Sequence, residues 1–262
     1  MTPQENTTAL IVITTLTVVL LVIVIIVIFS IFQNRKMKFI LEKKADEIRF
    51  EEEIIKSQLE TQEQTLQNIS WELHDNVGQL LSVARMQLNI LHPDLTDKQK
   101  MLVGETGEII SKSLQEIRTL SKLLNPEVIK NIGLEEALQL EIDRFNRLNF
   151  INAKFTVIGN PTPIDQKEEI ILFRILQEFL SNSLKHSKSA KLEVTLTYTH
   201  DELVIKAQDF GIGFDKETIK NGSGLLNMKS RAKLIHATLT LKSEKDKGVS
   251  LTLTYPTTKK ND

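Results

Sequence analysis

The sequence predicts an α+β protein in two halves, a long helical N-terminal half followed by an α/β two-layer sandwich. Three observations predict it. Residues 39–91 hold no proline and a single glycine, Gly78, so one helix can run through them. Within that stretch Leu59, Leu66, Leu73 and Leu80 recur every seven residues. Beyond residue 150 the pattern changes to short β-prone segments, at 151–158, 191–199, 203–207, 238–242 and 249–255, with helical periodicity between them.

The chain of 262 residues has room for one or two domains and extra segments. Its 41% hydrophobic and 26% charged content is that of a folded protein. Basic and acidic residues balance at 33 and 34, a net charge of -1, which gives nucleic acid no electrostatic footing as a direct partner. There is no cysteine, so disulfides, thiolate zinc sites and cysteine nucleophiles are excluded.

Residues 9–32 are 24 consecutive uncharged positions, dominated by Ile, Val and Leu. As a helix they extend about 36 Å against a hydrocarbon core of roughly 30 Å, so they are expected to form a tilted transmembrane helix. A cleavable signal peptide would want a basic start, a shorter apolar run and a small-residue cleavage site, none of which is present. Arg35, Lys36, Lys38, Lys43 and Lys44 follow the run and only Glu5 precedes it. The positive-inside rule then places the C-terminal part in the cytoplasm and the N-terminus outside, a single-pass protein of the cytoplasmic (inner) membrane. Residues 1–8 are expected as an external tail too small to fold as a sensor domain, so a signal would enter through the membrane lipid or a membrane protein.

Residues 33–68 are expected as a coiled-coil signalling helix. Ile48, Ile55 and Ile69 fill the second core position of its heptads, with Gln62 the polar member. Glu42, Lys43, Glu52, Lys56, Glu60 and Glu63 fit its solvated outer surface. Chains anchored in one orientation favour a parallel homodimer. His74 follows the core Leu73 and so leaves the helix about 100° round from the seam, where another domain can reach it. His92-Pro93-Asp94 signals a turn, and a second helix spans 97–124 with Ile109, Ile110, Leu114, Ile117, Leu120, Leu123 and Leu124 as its apolar stripe. Two such hairpins, residues 69–126 of each chain, make a four-helix bundle in the dimer.

In the last part, residues 127–262, a helix is expected at 132–148 and another at 165–186. On the second, Glu178, Asn182 and His186 repeat every four residues and share one face. Asp209 ends a strand and precedes Gly211 and Gly213. Gly222 and Gly224 open a further helix, where bare backbone can approach a phosphate and helix-end amides favour negative charge. Each feature alone has an ordinary reading, as a turn, a capped loop or a solvated face. The dinucleotide-binding fingerprint does not fit, because no βαβ unit with an acidic ribose ligand surrounds the glycines.

Taken together, Glu178-x-x-x-Asn182-x-x-x-His186, Asp209-x-Gly211-x-Gly213 and Gly222-x-Gly224-Leu225 resemble the ATP-binding boxes of histidine kinases, whose fold is shared with gyrase, MutL and the heat-shock chaperone ATPases. The segment 73–81 resembles the dimerisation and phosphoacceptor motif, His-Asp-x-x-x-Gln, of the sensor kinases that pair with LuxR-type response regulators. Leu124-Asn125-Pro126 followed by Gly133-Leu134-Glu135-Glu136-Ala137-Leu138 resembles the junction of that subfamily. The resemblance covers about residues 69–256.

The resemblance implies ATP and Mg²⁺ as ligands. Asn182 would coordinate the metal and Glu178 would hold or orient a metal-bound water. Asp209 would receive the adenine amine, Gly211 and Gly213 would hinge the loop over the nucleotide, and Gly222 and Gly224 would face the phosphates, with Leu225 as a further ATP-binding residue and Lys185 and His186 as further phosphate contacts. His74 would take the γ-phosphoryl group, Asp75 would orient or take the proton on the other ring nitrogen, and Gln79 would serve the reverse reaction, dephosphorylation of the partner. A separate phenylalanine-containing box is not evident, and the lid over ATP between Gly213 and Gly222 is short. His92, His200 and His236 stand outside these motifs. Two other readings stay open from sequence: a nucleotide-binding membrane scaffold without phosphotransfer, and an ATPase without a phosphohistidine.

Overall fold

A computed structural model describes residues 3–90, 96–149, 151–214 and 223–257, and the side chains of these except 3–13, 18, 19, 22 and 223. The His92-Pro93-Asp94 turn and Gly222 lie outside the described residues. The chain divides into two compact units, residues 1–57 and 58–262.

The first unit is helical, the beginning of α1 (Pro3–Glu72). The expected transmembrane run falls within this helix. Among the described residues no helix is long and apolar enough to cross a membrane. Several side chains of the run, at 9–13, 18, 19 and 22, are outside the described set.

In the second unit α1 does not continue unbroken through the motif, as the heptad pattern predicts. It passes into a π-helical turn, Leu73–Val77, closed by the Gly78 N–H donating to the Leu73 carbonyl. The chain then resumes as α2 (Gly78–Ile90). A π-turn carries one residue more than an α-turn, so the face beyond it is displaced by about 100°. Leu73 is half-buried, but Leu80, seven residues on, is 71% exposed, and Leu81 takes the half-buried place instead. Val83, Met86, Ile90, Met101 and Ile109 also leave the hairpin with exposed apolar surface.

Helix α3 (Asp97–Leu124) begins at a capping box, with the Gln99 Oε1 accepting from the Thr96 N–H at 3.0 Å. It packs back on the hairpin through Leu114 and through Ser121, whose hydroxyl donates to the Ser70 carbonyl while Ser70 donates to the Ser121 carbonyl. Asn125 ends α3 and caps the next helix, its side chain accepting from the Glu127 N–H, with Pro126 at the first helical position. That helix, α4 (Pro126–Arg147), starts earlier than the sequence predicts and is kinked at Gly133, where φ is 81°.

The rest is the expected two-layer sandwich. Strands β1 (Asn152–Ile158), β2 (Lys191–Tyr198), β3 (Glu202–Asp209), β4 (Thr238–Glu244) and β5 (Gly248–Pro256) form one sheet in the order β1-β2-β3-β5-β4. The β1-β2 pair is parallel and the others antiparallel. A parallel pair needs a crossover, supplied by α5 (Gln166–Asn182), which Asp165 caps by accepting from the Lys167 N–H. Alternate strand residues, Leu192, Val194 and Leu196, Leu203 and Ile205, Leu251 and Leu253, are buried in one core with α4, α5 and α6 (Ser223–Leu234). Leu176 on α5 is fully buried there. Leu176→Ala is expected to lower unfolding free energy by about 2–5 kcal/mol, read from the shift of a urea transition.

Candidate nucleotide-binding site

A cavity of about 540 Å³ opens among the end of α5, the loop after β3, the start of α6 and the inner ends of β4 and β5. Glu178, Asn182, His186, Asp209, Gly213, Gly224 and Leu225, all singled out in the sequence, line it. Phe179, Ile212, Phe214, Met228, Leu241 and Val249 supply apolar walls. Such a mixture of flat apolar surface and a few polar groups suits a heteroaromatic base carrying a charged tail. Lys185 is exposed on the same turn and Gly211 is buried; neither lines the cavity. His74, Asp75 and Gln79 are exposed on the hairpin and are not part of it.

Asp209 anchors the cavity floor at 1% exposure. Its Oδ1 accepts the N–H groups of Gly211 at 3.0 Å and Val249 at 3.2 Å, while Oδ2 accepts the Ser183 hydroxyl at 3.0 Å. Oδ1 is thereby fully used, and Oδ2 keeps one lone pair. A buried carboxylate oxygen with spare acceptor capacity in a cavity suits an exocyclic amine. Ser183 was missed by sequence reasoning, although a strand-end aspartate facing the core must find donors somewhere.

The loop after Asp209 is pinned rather than loose over residues 210–214. Ile212 donates its N–H to the Ser187 carbonyl at 2.9 Å, and Phe214 donates its N–H to the Ser243 hydroxyl at 2.7 Å. Gly213 has φ of 62°, and a Cβ there would strike the Glu244 carbonyl, so only glycine fits.

Helix α5 ends, like α1, in a π-helical turn, Ser183–Ser187. Just before it Asn182 donates its Nδ2 to the Glu178 Oε1 at 3.1 Å. That bond fixes the amide with Oδ1 free, and leaves Glu178 Oε2 free as well. Two hard oxygen donors with substrate phosphates alongside are what Mg²⁺ takes, since it keeps much of its water and rarely uses a full protein cage. Among the described residues no group of three or more metal-ligating His, Cys, Asp or Glu side chains occurs.

Gly224 lies against this pair: a Cβ there would meet the Glu178 carboxylate and approach Asn182 Nδ2. Gly224→Ala is expected to push the Glu178 carboxylate aside and to weaken Mg²⁺-nucleotide binding about tenfold, as displacement of supporting groups does at metal sites. Calorimetric titration with and without Mg²⁺ checks it. The loss should appear only with the metal.

At the hairpin His74 Nδ1 and Asp75 Oδ1 are 2.8 Å apart, although neighbours on a helix do not usually face each other. The same pairing occurs at His200 and Asp201 in the β2-β3 turn, 2.7 Å apart, where the carboxylate raises the pKa of a fully exposed imidazole. Contact alone is therefore not the mark of a site. Gln79 follows the π-turn on α2 and, like His74, is exposed.

Two residues assigned from sequence to the helix surface and seam are elsewhere. Glu63, expected on the solvated outer face, is an ion-pair partner of Arg174 at 3.0 Å, and its other oxygen is 3.7 Å from Arg231. Gln62, expected in the heptad core, accepts from Arg231 at 2.9 Å. Arg174 and Arg231 drew no notice in the sequence, because arginines inside amphipathic helices look like ordinary surface charges. Burial pulls the Arg231 pKa below its ordinary value, the Glu63 carboxylate opposes this, and the neighbouring Arg174 adds to the lowering.

Comparison with known proteins agrees with both parts. Residues 66–129 match a family described as histidine kinase, and residues 167–259 match the histidine kinase-, DNA gyrase B-, and HSP90-like ATPases. Together these cover more than half of the chain. The oxygen sensor histidine kinase NreB of Staphylococcus carnosus is 27% identical over 216 residues, covering 80% of this chain and 61% of that protein. The signal transduction histidine-protein kinase/phosphatase DegS of Brevibacillus brevis is 27% identical over 205 residues, covering 76% and 53% respectively. The chain thus spans little more than half the length of these relatives. Among solved structures, the histidine kinase domain of the Erythrobacter litoralis EL346 blue-light activated histidine kinase aligns with a TM-score of 0.43 at 17% identity, covering 68% of this chain and 94% of that one. With a phosphoacceptor-type hairpin and an ATP-binding sandwich in sequence, both matched and both folded as described, the chain belongs to the histidine kinases.

Proposed function

We propose that the protein is a membrane-anchored, homodimeric sensor kinase that phosphorylates His74 from ATP and passes the phosphoryl group to an aspartate of a cytoplasmic response regulator. The observation that carries the reading is the gathering of Glu178, Asn182, Asp209, Gly213 and Gly224 from separate segments around one cavity, in a chain that also bears an exposed His74-Asp75 pair. Since His200 and Asp201 pair in the same way, what sets His74 apart is its hairpin, which matches the histidine kinase family over residues 66–129 and for which a scaffold or a plain ATPase has no use.

In this reading the adenine amine donates to Asp209 Oδ2 and the ring lies among Ile212, Met228 and Leu241, with the phosphates toward Gly224 and His186. Asn182 and Glu178 would hold Mg²⁺, which would offset the charge of the phosphates. Asp75 accepts the Nδ1–H of His74, which fixes the tautomer and leaves the Nε2 lone pair outward as the nucleophile. Nε2 attacks the γ-phosphorus in line, a nitrogen-phosphorus bond forms, the bond to the β-γ bridging oxygen breaks and ADP departs. The phosphorylated imidazolium then loses its Nδ1 proton to Asp75, which passes it to solvent, leaving a neutral phosphohistidine ring. Gln79, exposed on α2 just past the π-turn, positions water for the opposite activity, removal of phosphate from the regulator.

Residues 9–32 serve as the membrane anchor, 33–68 as the signalling helix, 69–126 as the dimerisation domain and 127–262 as the ATP-binding domain. The exposed apolar side of the hairpin, with Leu80, Val83, Met86 and Ile90, supports burial against a second copy in a four-helix bundle. The resemblance of 73–81 supports a regulator with LuxR-type DNA-binding output, and the apolar run supports a lipid or membrane protein as input. Incubating the bilayer-embedded chain with γ-labelled ATP tests the core of the reading. A label that is lost in acid, kept in alkali and transferable to a receiver aspartate is expected; turnover of ATP with no such label would leave a plain ATPase.

A further inference from the structure

We propose that Glu63 is a latch by which the signalling helix holds the ATP-binding domain in a parked position, and that activation withdraws its carboxylate from Arg174 and Arg231. The inference rests on the kinase reading and adds its regulation.

Every N–H direction of the Arg174 guanidinium is used. Nε and Nη2 donate to the Glu63 carboxylate at 3.0–3.1 Å, Nη1 donates to the Leu123 carbonyl and Gln177, and Nη2 also reaches the Leu124 carbonyl at 2.7 Å. Arg174 thereby ties α5 to α1 and to the last carbonyls of α3. Arg231 ties α6 to the same point of α1 through Gln62 and Glu63. The two guanidiniums are 2% and 4% exposed and close enough to oppose each other's charge. Glu63 is the carboxylate they share. Buried cations left without it would be strongly unfavourable, so docking of these helices on α1 depends on one side chain of the signalling helix.

The latch also acts at the right place. Arg174 lies on the helix that carries Glu178 and Asn182 one and two turns further on, and Arg231 lies two turns along the helix that Gly224 opens. Holding α5 and α6 therefore holds the two helices whose ends meet at the cavity. Among the described residues none of α1, α2 or α3 lines that cavity, and the His74 ring pairs with its neighbour Asp75. In the docked arrangement the chain keeps its own phosphoacceptor out of its nucleotide site. Because Glu63 is eleven residues before His74, on the helix that runs directly into the π-turn bearing His74, a rotation or tilt of α1 that removes the carboxylate reaches both the latch and the acceptor.

The test uses the full chain in lipid nanodiscs. Glu63→Gln keeps the shape and removes the charge; it is expected to raise the initial rate of His74 labelling about tenfold or more, with KM for ATP changed by less than about twofold. Amides of residues 166–182 and 223–234 should exchange with solvent correspondingly faster, while Glu63→Asp, which restores the charge, should return both readouts toward the parent. A labelling rate equal to or below the parent's with ATP binding intact overturns the latch, since it makes docking neutral or productive. Should no variant, parent included, take label, the kinase reading is what fails, and the exchange data alone judge the latch: unchanged protection refutes it. If Glu63→Gln does not fold, Gln62→Ala, which removes only an acceptor of Arg231, is expected to give a smaller rise in both readouts, and no change in either refutes the proposal.

Discussion

Replacing His74 with glutamine is expected to reduce acid-labile phosphorylation of the chain to background while leaving ATP affinity within about twofold, because the side chain is exposed on the hairpin and absent from the cavity. An exposed substitution of this kind costs at most about 0.5 kcal/mol of stability, so loss of label cannot be laid to unfolding. Phosphate analysis and nucleotide titration of the same preparation check both halves. Label persisting on the variant would place the acceptor elsewhere, and His186, which lines the cavity, would be the first residue to examine.

Asp209→Asn is expected to weaken adenine nucleotide binding by about 100-fold or more, the scale at which sites built to pair a polar group lose a mismatched ligand. The amide is held in one orientation. Its oxygen must face the Gly211 and Val249 N–H groups, since the reverse would set donor against donor. Its NH₂ then replaces Oδ2, where the Ser183 hydroxyl can turn and accept but an incoming amine cannot. The fold should lose only about 1–2 kcal/mol, the cost of altered buried hydrogen bonds. Titrating ATP and GTP in parallel gives the discriminating result: the preference for adenine should fall, because a guanine carbonyl can accept from the new amide. ATP affinity unchanged by the substitution would remove Asp209 from the base pocket.

Much of this architecture was legible because it rests on local patterns. Alternation in 191–199 and 249–255 maps onto strands with one face buried, and Asn125-Pro126 and Asp165 fix helix starts through their own side chains. The site residues spaced by four on α5 were legible for the same reason, since helical periodicity alone puts Glu178 and Asn182 within hydrogen-bond reach. What was not legible depends on partners distant in sequence. Glu63 and Arg174 are 111 residues apart, and a glutamate among other helix charges carries no sign of an arginine to come. Ser183 is one residue past a recognised motif position but gains its role only through Asp209, 26 residues on. The π-turns escaped too, because an i to i+5 bond has no composition of its own.

The turn at Leu73–Val77 has a practical meaning for anyone who would splice a foreign input helix onto this chain. Leucines at 59, 66, 73 and 80 invite the designer to count heptads straight across the motif. A junction phased from Leu80 would arrive one residue out of step with the helix it joins. The splice has to be phased on Leu59 and Leu66, above the turn, so that Glu63 still meets its two arginines.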